Sequence, residues 1–445
     1  MRRPRTILLV VALLAATVAA GPAEAKKGKG KSPNPVIFVH GQFGSADQFE
    51  TDAMRLTSNG FPQDRLFVYE YDTSVTSNDD AIAGLDAFIA SVKAQTGAGQ
   101  VDVLAHSRGT TVMHSYLSTP ERAASVAHYV NFDGRTADAP PGGVPTLAVW
   151  GEGDQTRAIV GAQNVYYPDK SHTEVTTSRE VFADVYGFLR GRPPQTTKVV
   201  PEKPNKVTIA GRALEFPNNT AIEGGILEVY EVDDATGQRR GGAIYTKTIT
   251  ADGNWGPVKV DGRRHYEIAI TEPGGRTLHN YPEPFEHDDH FFRVLNSPLL
   301  EPFIESGPNH TAITVRRMLE WRGDQADPAG NDSLSFNGLN VINPAIAPRA
   351  RRVLAVFTFD ANSDGVTDTS APLQPFASVT FLTGADVFMP ASPGGTGTIA
   401  VEERMRTTGH VETINVPSWP SDANVISILF RDYVAKTYKK PKKKK

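Results

Sequence analysis

The amino-acid sequence predicts an α/β domain with a mostly parallel sheet, followed by an all-β carboxyl-terminal region. In residues 35–192, apolar strand-like runs alternate with helical patterns, which is the order of parallel strands joined by helices. After a Pro-rich linker at 193–204, short β-branched and aromatic segments are separated by Gly, Asn, Asp and Pro, which is typical of all-β structure. Single cores stop growing near ~250–300 residues. We therefore expect this chain of 445 residues to contain more than one domain.

The first 25 residues have the three parts of a secretory signal peptide. A basic start at residues 2–5 precedes an apolar run at 7–20 and a small-residue sequence at 23–25. The apolar run is shorter than the roughly 20 residues that a membrane span needs. We expect residues 1–25 to be removed on export, which gives a secreted, extracellular protein without a transmembrane segment in the mature chain.

Charge and cysteine content exclude several functions. The 46 Lys and Arg nearly balance the 50 Asp and Glu, so nothing favours a nucleic-acid partner. The chain has no cysteine, which excludes thiol and disulfide chemistry. A basic linker at 26–34 and a Lys-rich tail at 439–445 are like-charge runs. A solvated tail is the simpler interpretation, and attraction to an anionic surface is the alternative.

The elements of the α/β region follow from hydrophobic periodicity. Continuous apolar runs indicate buried parallel strands, and apolar residues at a helical spacing indicate helices. The predicted strands are 35–39, 66–71, 101–105, 127–132, 146–150 and 164–167, and the predicted helices are 81–95, 110–117 and 179–189.

The β region divides into two predicted units. Residues 205–272 resemble a prealbumin-like β-sandwich, and residues 273–438 are expected to form a second β domain packed on it. The predicted strands are 207–211, 225–230, 245–250 and 266–271 in the first unit, and 353–359 and 378–382 in the second.

A nucleophile elbow is predicted at Ser107. The strand 101–105 leads directly into His106-Ser107-Arg108-Gly109 and then into a helical pattern. This order presents a serine hydroxyl above the sheet near a helix amino terminus, as in the α/β-hydrolase fold. Ala105 occupies the first position of the motif, where Gly is usual. The placement directly after a buried strand makes Ser107 the predicted nucleophile.

The loop after the first strand is the predicted oxyanion site. Residues 40–45 read His-Gly-Gln-Phe-Gly-Ser and follow the strand 35–39. An oxyanion hole needs two backbone N–H groups, one from this loop and one from the residue after the nucleophile. We expect the backbone N–H groups of Gln42 and Arg108 to supply them.

A serine nucleophile needs a histidine base, and His172 is the best candidate. It lies in a polar loop after the last strand and before a helical segment. His114 lies in the elbow helix and His128 in a strand, so both are expected to be structural. His106 adjoins the elbow and is expected to pack there.

Two carboxylates could orient His172. Asp133 follows the strand 127–132, and Asp154 follows the strand 146–150. The common α/β-hydrolase arrangement favours Asp154, but the spacing of residues leaves both open.

The chain resembles the two-domain archaeal lipases, which join an α/β-hydrolase to a carboxyl-terminal β domain implicated in lipid binding. The resemblance covers nearly the whole mature chain. It is carried by VHGQFGSADQFE, GFPQDRLFVYEYDT, VDVLAHSRGT, STPERAASVAHYVNFDG, GGVPTLAVWG, SHTEVTTSREVF, FNGLNVI, NSDGVTDTSAPL and FMPASPGGTGTI. The family's acid motif falls on Asp133, so the resemblance favours Asp133 over Asp154. The family also has a long lid insertion, but here only Thr73–Asp80 separates strand from helix. Strong interfacial activation is therefore not expected.

No cofactor and no metal is expected. Residues 360–368 resemble half of an EF-hand loop, but Ala371 stands where the bidentate Glu would be, so we interpret the segment as a turn. His287-Asp288-Asp289-His290 could bind a metal, but an exposed polar loop is the simpler interpretation.

The sequence therefore predicts a secreted carboxylic ester hydrolase with a Ser107–His172–Asp133 triad, acting as a lipase on acylglycerols. A polyester depolymerase or a small-ester carboxylesterase would use the same residues. A surface-binding protein with an incidental hydrolase unit is the alternative from another class.

Overall fold

A six-stranded parallel sheet flanked by helices forms the first part of the chain. The computed structural model describes residues 32–436, 438 and 439. The strand order is β2-β1-β3-β4-β5-β6, and every neighbouring pair is parallel. The elements are β1 (Val36–Val39), α1 (Glu50–Ser58), β2 (Leu66–Tyr69), α2 (Asp79–Thr96), β3 (Val101–His106), α3 (Arg108–Tyr116), α4 (Pro120–Ala123), β4 (Val126–Phe132), β5 (Thr146–Trp150), β6 (Gln163–Tyr166) and α5 (Arg179–Arg190).

Two apolar cores cover the two faces of this sheet. Residues of β1 and β3 are buried throughout, as continuous apolar runs predict for strands covered on both faces. One core packs α1 and α5 on the sheet, and the other packs α2 and α3 on the opposite face. Ser178 caps α5 by accepting a hydrogen bond from the Val181 amide, and Gly191 ends the helix with a left-handed φ of 63°.

The rest of the chain is β structure. Its strands are β7 (Thr208–Glu215), β8 (Thr220–Ala221), β9 (Ile226–Val232), β10 (Tyr245–Thr248), β11 (Asn254–Lys259), β12 (His265–Thr271), β13 (Thr277–Pro282), β14 (Asp289–Asn296), β15 (Ile313–Trp321), β16 (Ser333–Phe336), β17 (Leu339–Asn340), β18 (Val353–Phe359), β19 (Leu382–Asp386), β20 (Thr398–Arg404), β21 (Val411–Pro417) and β22 (Asn424–Leu429). The predicted fold class, a parallel α/β sheet followed by an all-β region, is confirmed.

One eight-stranded mixed sheet runs through the whole β region. Its order is β10-β9-β12-β13-β22-β15-β18-β19. At one end it encloses a core with the sheet β11-β7-β14, and further along it encloses a second core with the sheet β17-β16-β20-β21. The domain boundary expected at residue 272 lies in the turn between β12 and β13, which pair with each other.

The parallel sheet and the β region share a packed interface. Phe291 of β14 belongs to the core that packs α1 and α5 on the parallel sheet, and it meets Phe38 of β1 edge to face, with ring centroids 5.7 Å apart. The side chain of Glu70 is fully buried and pairs with Arg212 and Arg293 of the β region, each at 2.6 Å. The interface therefore combines apolar packing with buried ion pairs.

One predicted strand is shifted. Residues 378–382 were expected to be extended, but 376–378 form a short 3-10 turn and the strand β19 begins at Leu382. Phe381 has a left-handed φ of 74°, which interrupts an extended backbone just before the pairing with β18 starts.

The predicted signal peptide at 1–25 lies outside the described residues, and so do most of the basic linker and most of the Lys-rich tail. Within the described part of the chain, no helix has both the length and the apolar composition that crossing a bilayer requires.

Candidate active site

The carboxyl edge of the parallel sheet brings the predicted site residues together. Gln42 follows β1, Ser107 follows β3, and Asp133 follows β4. His172 lies in the connection between β6 and α5. The carboxyl ends of parallel strands form the usual ligand-binding edge of such sheets. Residues far apart in sequence therefore meet at one place.

The backbone at Ser107 has the strained geometry of a nucleophile elbow. Ser107 has φ 51° and ψ −120°, a region that non-glycine residues rarely adopt. A Cβ at Gly109 would lie 2.6 Å from the backbone oxygens of both Val39 and His40, so only glycine fits there. Ala105 is fully buried in the sheet, where its methyl group is accommodated. The turn places Ser107 at the amino terminus of α3.

His172 is bonded to Asp133. Its Nδ1 lies 2.6 Å from Asp133 Oδ2, and both residues are buried. The other carboxylate oxygen accepts hydrogen bonds from the Gly151 amide and Arg157 Nη1, each at 2.9 Å. Burial favours the neutral acid, but His172, Gly151 and Arg157 outweigh it and lower the pKa of Asp133 to about 2. Asp133 is therefore an anion that can hold the imidazole in one orientation.

Asp154 lies elsewhere. It is exposed, and its carboxylate accepts hydrogen bonds from the Thr156 amide and hydroxyl at 2.8 and 2.7 Å. Those two bonds lower its pKa. Of the two acids that the spacing left open, Asp133 is the one that the structure places against His172.

The other histidines near the elbow have different partners. His106 Nε2 lies 2.8 Å from the backbone carbonyl of His172, and burial lowers the pKa of His106 to about 3. Burial lowers the pKa of His114, in α3, to about 4. His128 Nδ1 pairs with Asp102, whose hydrogen bond raises the pKa of His128. His106 is thus a neutral packing partner of the His172 segment.

The two predicted oxyanion residues are adjacent in space. Arg108 is the first residue of α3, so its amide has no acceptor within the helix. Its guanidinium donates to Gln42 Oε1 at 2.7 Å, and Gln42 Nε2 donates to the Thr73 carbonyl at 2.6 Å. These side-chain bonds fix the loop after β1 against the start of α3. The backbone amides themselves remain candidates for an oxyanion site.

A cavity that is partly open to solvent begins at Ser107 and His172. Beyond the two residues its walls are mostly apolar and come from the β region. They include Leu278, Leu295, Ile304, Met318, Leu354 and Phe357. Arg276, Asn296 and Glu301 supply polar groups to the same cavity. The β region therefore forms much of the wall of the site.

The connection between β2 and α2 is short and tethered. The Thr73 amide and hydroxyl both donate to the Pro217 carbonyl at 3.0 Å. Arg108 donates to the Ser77 carbonyl at 3.0 Å and to Asn78 Oδ1 at 2.9 Å. Residues 70–78 thus lie against both domains.

Side chains in the two segments considered as metal sites form hydrogen bonds to other protein groups. His287 contacts Thr57 Oγ1 at 2.7 Å and the Val200 carbonyl at 2.8 Å, while His290 contacts Thr208 Oγ1 at 3.0 Å. The carboxylate of Asp360 accepts from the Gly365 amide at 3.1 Å, inside a turn. Among residues 32–436, no group of three or more His, Asp or Glu has the arrangement of a metal site.

Several residues that contact the site were not predicted from the sequence. Gln48 accepts from the Gly41 amide at 3.2 Å and bonds to His106 Nδ1, so it links the oxyanion loop to the elbow. Arg157 pairs with Asp133, and Glu320 contacts the segment around His172. Gln48 lies in a short 3-10 helix at 46–49, Arg157 lies in a loop, and Glu320 comes from the β region. No local pattern marks such residues.

Comparisons with known proteins agree with this architecture. A class 2 lipase model matches residues 33–121, a lipase C-terminal domain model matches residues 205–299, and a further C-terminal domain model matches residues 299–434.

Similar solved structures include three hydrolases. A predicted CIB-like hydrolase from Thermoplasma acidophilum is 16% identical, over 36% of this chain and 88% of that chain, with a TM-score of 0.28. Lipase B from Aspergillus fumigatus is 15% identical, over 37% and 54%, with a TM-score of 0.30. Carboxylesterase CesB from Bacillus subtilis is 13% identical, over 37% and 86%, with a TM-score of 0.27.

The class 2 lipase match over the parallel sheet is followed, in order, by the lipase C-terminal domain match over the β region. The order of these matches along the chain is consistent with a two-domain lipase family.

Proposed function

We propose that the protein is a secreted serine ester hydrolase that acts as a lipase on acylglycerols. Ser107 is the nucleophile, His172 the general base and Asp133 the acid that orients it. The backbone amides of Gln42 and Arg108 stabilise the oxyanion. The lipase family supports the hydrolase class, and the 2.6 Å contact between His172 and Asp133 supports the assignment of the acid.

We infer the class of substrate from the residues that line the cavity. It opens at Ser107 and continues between apolar side chains such as Met318, Leu354 and Phe357. Burial of an acyl chain contributes about 0.8 kcal/mol per methylene. A cavity with this apolar lining is suited to a medium or long acyl chain. The polar groups of Arg276 and Asn296 are suited to the alcohol part of an ester.

The reaction follows from these assignments. His172 Nε2 takes the hydroxyl proton of Ser107 as Oγ attacks the ester carbonyl carbon. The tetrahedral oxyanion is held by two N–H groups, and its collapse breaks the bond to the alcohol, which leaves with the proton from His172. Water, deprotonated by His172, then attacks the acyl carbon. The second tetrahedral intermediate collapses by breaking the bond to Ser107 Oγ, which takes the proton back from His172 as the fatty acid is released.

The test is hydrolysis of a series of p-nitrophenyl esters and of triolein by wild type and Ser107→Ala. We expect the variant to lose a factor of about 10⁴–10⁶ in kcat. We also expect kcat/KM of wild type to rise from acetyl to octanoyl or longer chains. Activity retained in Ser107→Ala would overturn the assignment of the nucleophile.

The same series separates the alternatives. A maximum at acetyl or butyryl esters would indicate a small-ester carboxylesterase, and release of monomers from a polyester film with no triolein hydrolysis would indicate a depolymerase. No hydrolysis of any ester would favour a surface-binding protein. For export, we expect the amino terminus of the protein recovered from the medium to begin at Lys26.

A further inference from the structure

Strand β15 leaves the eight-stranded sheet where it approaches the hydrolase domain. Residues from Ile313 to Arg316 pair with both β18 and β22. The next pair with β18 joins Trp321 to Val353, so that four residues of β15 lie outside the regular ladder. Bulges of this kind redirect side chains and are common beside active sites. Here the bulge contains Glu320.

Glu320 contacts the hydrolase segment on both sides of His172. Its Oε1 accepts a hydrogen bond from the Thr173 amide at 2.7 Å, and its Oε2 accepts one from the Ser171 hydroxyl. Glu320, Ser171 and Thr173 are each no more than 2% exposed. The imidazole of His172 is bonded to Asp133 instead. Glu320 therefore holds the backbone that carries the histidine.

A second anchor lies one residue further along the same segment. The carboxylate of Glu174 lies 3.4 Å from Arg406 and 3.6 Å from Arg322, both in the β region. Arg406 also donates a hydrogen bond to the Glu320 carbonyl. The segment that carries His172 is thus bound to the β region at three positions, Ser171, Thr173 and Glu174.

We propose that Glu320 is a positioning residue for His172, through which the β region sets the geometry of the active site. The proposal rests on the proposed role of His172 as the base. The bond to Asp133 orients the ring, but the distance from the ring to Ser107 depends on where the backbone lies. A displacement of about 1 Å at a reacting group can cost about 10²-fold in rate. The β region is therefore required for turnover of every ester, including small dissolved esters that never reach its apolar walls.

The test compares Glu320→Leu, Glu320→Gln and Ser171→Ala with p-nitrophenyl butyrate as a dissolved substrate. In Glu320→Leu we expect kcat to fall about 10- to 100-fold with KM changed by less than about twofold, because ground-state binding does not involve Glu320. Glu320→Gln keeps an oxygen for the Thr173 amide and an N–H group for the Ser171 hydroxyl, so it should restore most of kcat. Ser171→Ala removes one of the two bonds from the other side and should lower kcat less than Glu320→Leu.

A second measurement and a matched control variant distinguish the positioning role of Glu320 from a purely structural role. The rate at which a p-nitrophenyl alkylphosphonate labels Ser107 reports the His172–Ser107 geometry, and it should fall in parallel with kcat. Glu267 is a buried carboxylate of the same sheet that pairs with Arg239 and His279, both in the β region. Glu267→Gln should lower the unfolding midpoint but leave kcat and labelling unchanged.

Unchanged kcat in both Glu320→Leu and Ser171→Ala, or an effect on KM alone, would overturn the role of Glu320. If Glu320→Leu does not fold, Ser171→Ala decides. If the phosphonate labels Ser107 of wild type and wild type hydrolyses the ester, the proposed function stands whatever the Glu320 variants do. Wild type that does neither would overturn the proposed function itself.

Discussion

At the scale of single residues, the strand order of the sequence was enough to predict that Ser107 and His172 lie at one edge of the sheet, because carboxyl ends of parallel strands converge. It was not enough to choose between Asp133 and Asp154, since both follow neighbouring strands. The choice depends on side-chain direction. Asp133 has a left-handed φ of 43°, at the end of a fully buried stretch of β4, and its carboxylate meets His172. Asp154 lies in an exposed turn.

This difference predicts opposite results for two matched substitutions. Asp133→Asn replaces an anion with an amide that can favour the wrong tautomer of His172, so we expect kcat to fall about 10³- to 10⁴-fold. Asp154→Asn keeps the turn and should leave kcat within about twofold. The measurement is kcat on p-nitrophenyl butyrate near pH 8, with circular dichroism as a check of folding. Loss of activity only in Asp154→Asn would show that the acid is assigned wrongly.

At the scale of secondary-structure elements, the predicted helices and strands other than 378–382 lie within a few residues of observed elements, but α1 and several strands of the β region, such as β14, β15 and β20, were not predicted. The shift of strand β19 and the bulge in β15 were not predicted either. Both depend on backbone conformations, at Phe381 and after Arg316, that the apolar pattern does not encode. The short connection between β2 and α2 was predicted from its length, but its tethering was not. Its partner Pro217 is 144 residues away from Thr73.

The tethered connection predicts the absence of interfacial activation. Residues 70–78 are bonded to Pro217 and to Arg108, so they cannot swing away like the helical lid of a lipase. As the concentration of tributyrin crosses its solubility limit, the rate should follow a single saturation curve. A lidded lipase measured in parallel provides the positive control. A sharp rise in rate at the solubility limit would contradict this interpretation.

At the scale of the whole molecule, the sequence predicted two kinds of domain but not how tightly they are joined. Linker composition at 193–204 indicated separate units, whereas the described residues from Asn34 onward form one compact unit. Pairing between Glu70 and Arg293 spans 223 residues. Contacts of such sequence separation leave no local signature, and the charged residues at the interface look like ordinary surface residues in the sequence.

The ionisation of Glu70 makes the stability of the folded protein depend on pH. Burial favours its neutral form, but Arg293 and Arg212 outweigh burial and lower the pKa of Glu70 to about 2. Glutamate in an unfolded chain has a pKa of about 4.3. The folded pKa is thus the lower one, so the stabilisation is complete above about pH 4.3 and is lost as the pH falls from there towards 2. Over that interval, protonation of Glu70 lowers the free energy of unfolding by on the order of 3 kcal/mol.

Glu70→Gln should therefore be less stable than wild type at pH 7, because Arg293 and Arg212 lose a buried partner. Between pH 4.5 and 2.5 it should lose less further stability than wild type does. Urea unfolding at pH 7, 4.5, 3.5 and 2.5 measures both effects, with the exposed Glu402→Gln as a control that should follow wild type. Parallel pH curves for Glu70→Gln and wild type would mean that Glu70 does not carry the acid sensitivity. The difference in free energy of unfolding between wild type and Glu70→Gln should narrow towards low pH, because protonation of Glu70 then removes from wild type the charge that the variant lacks.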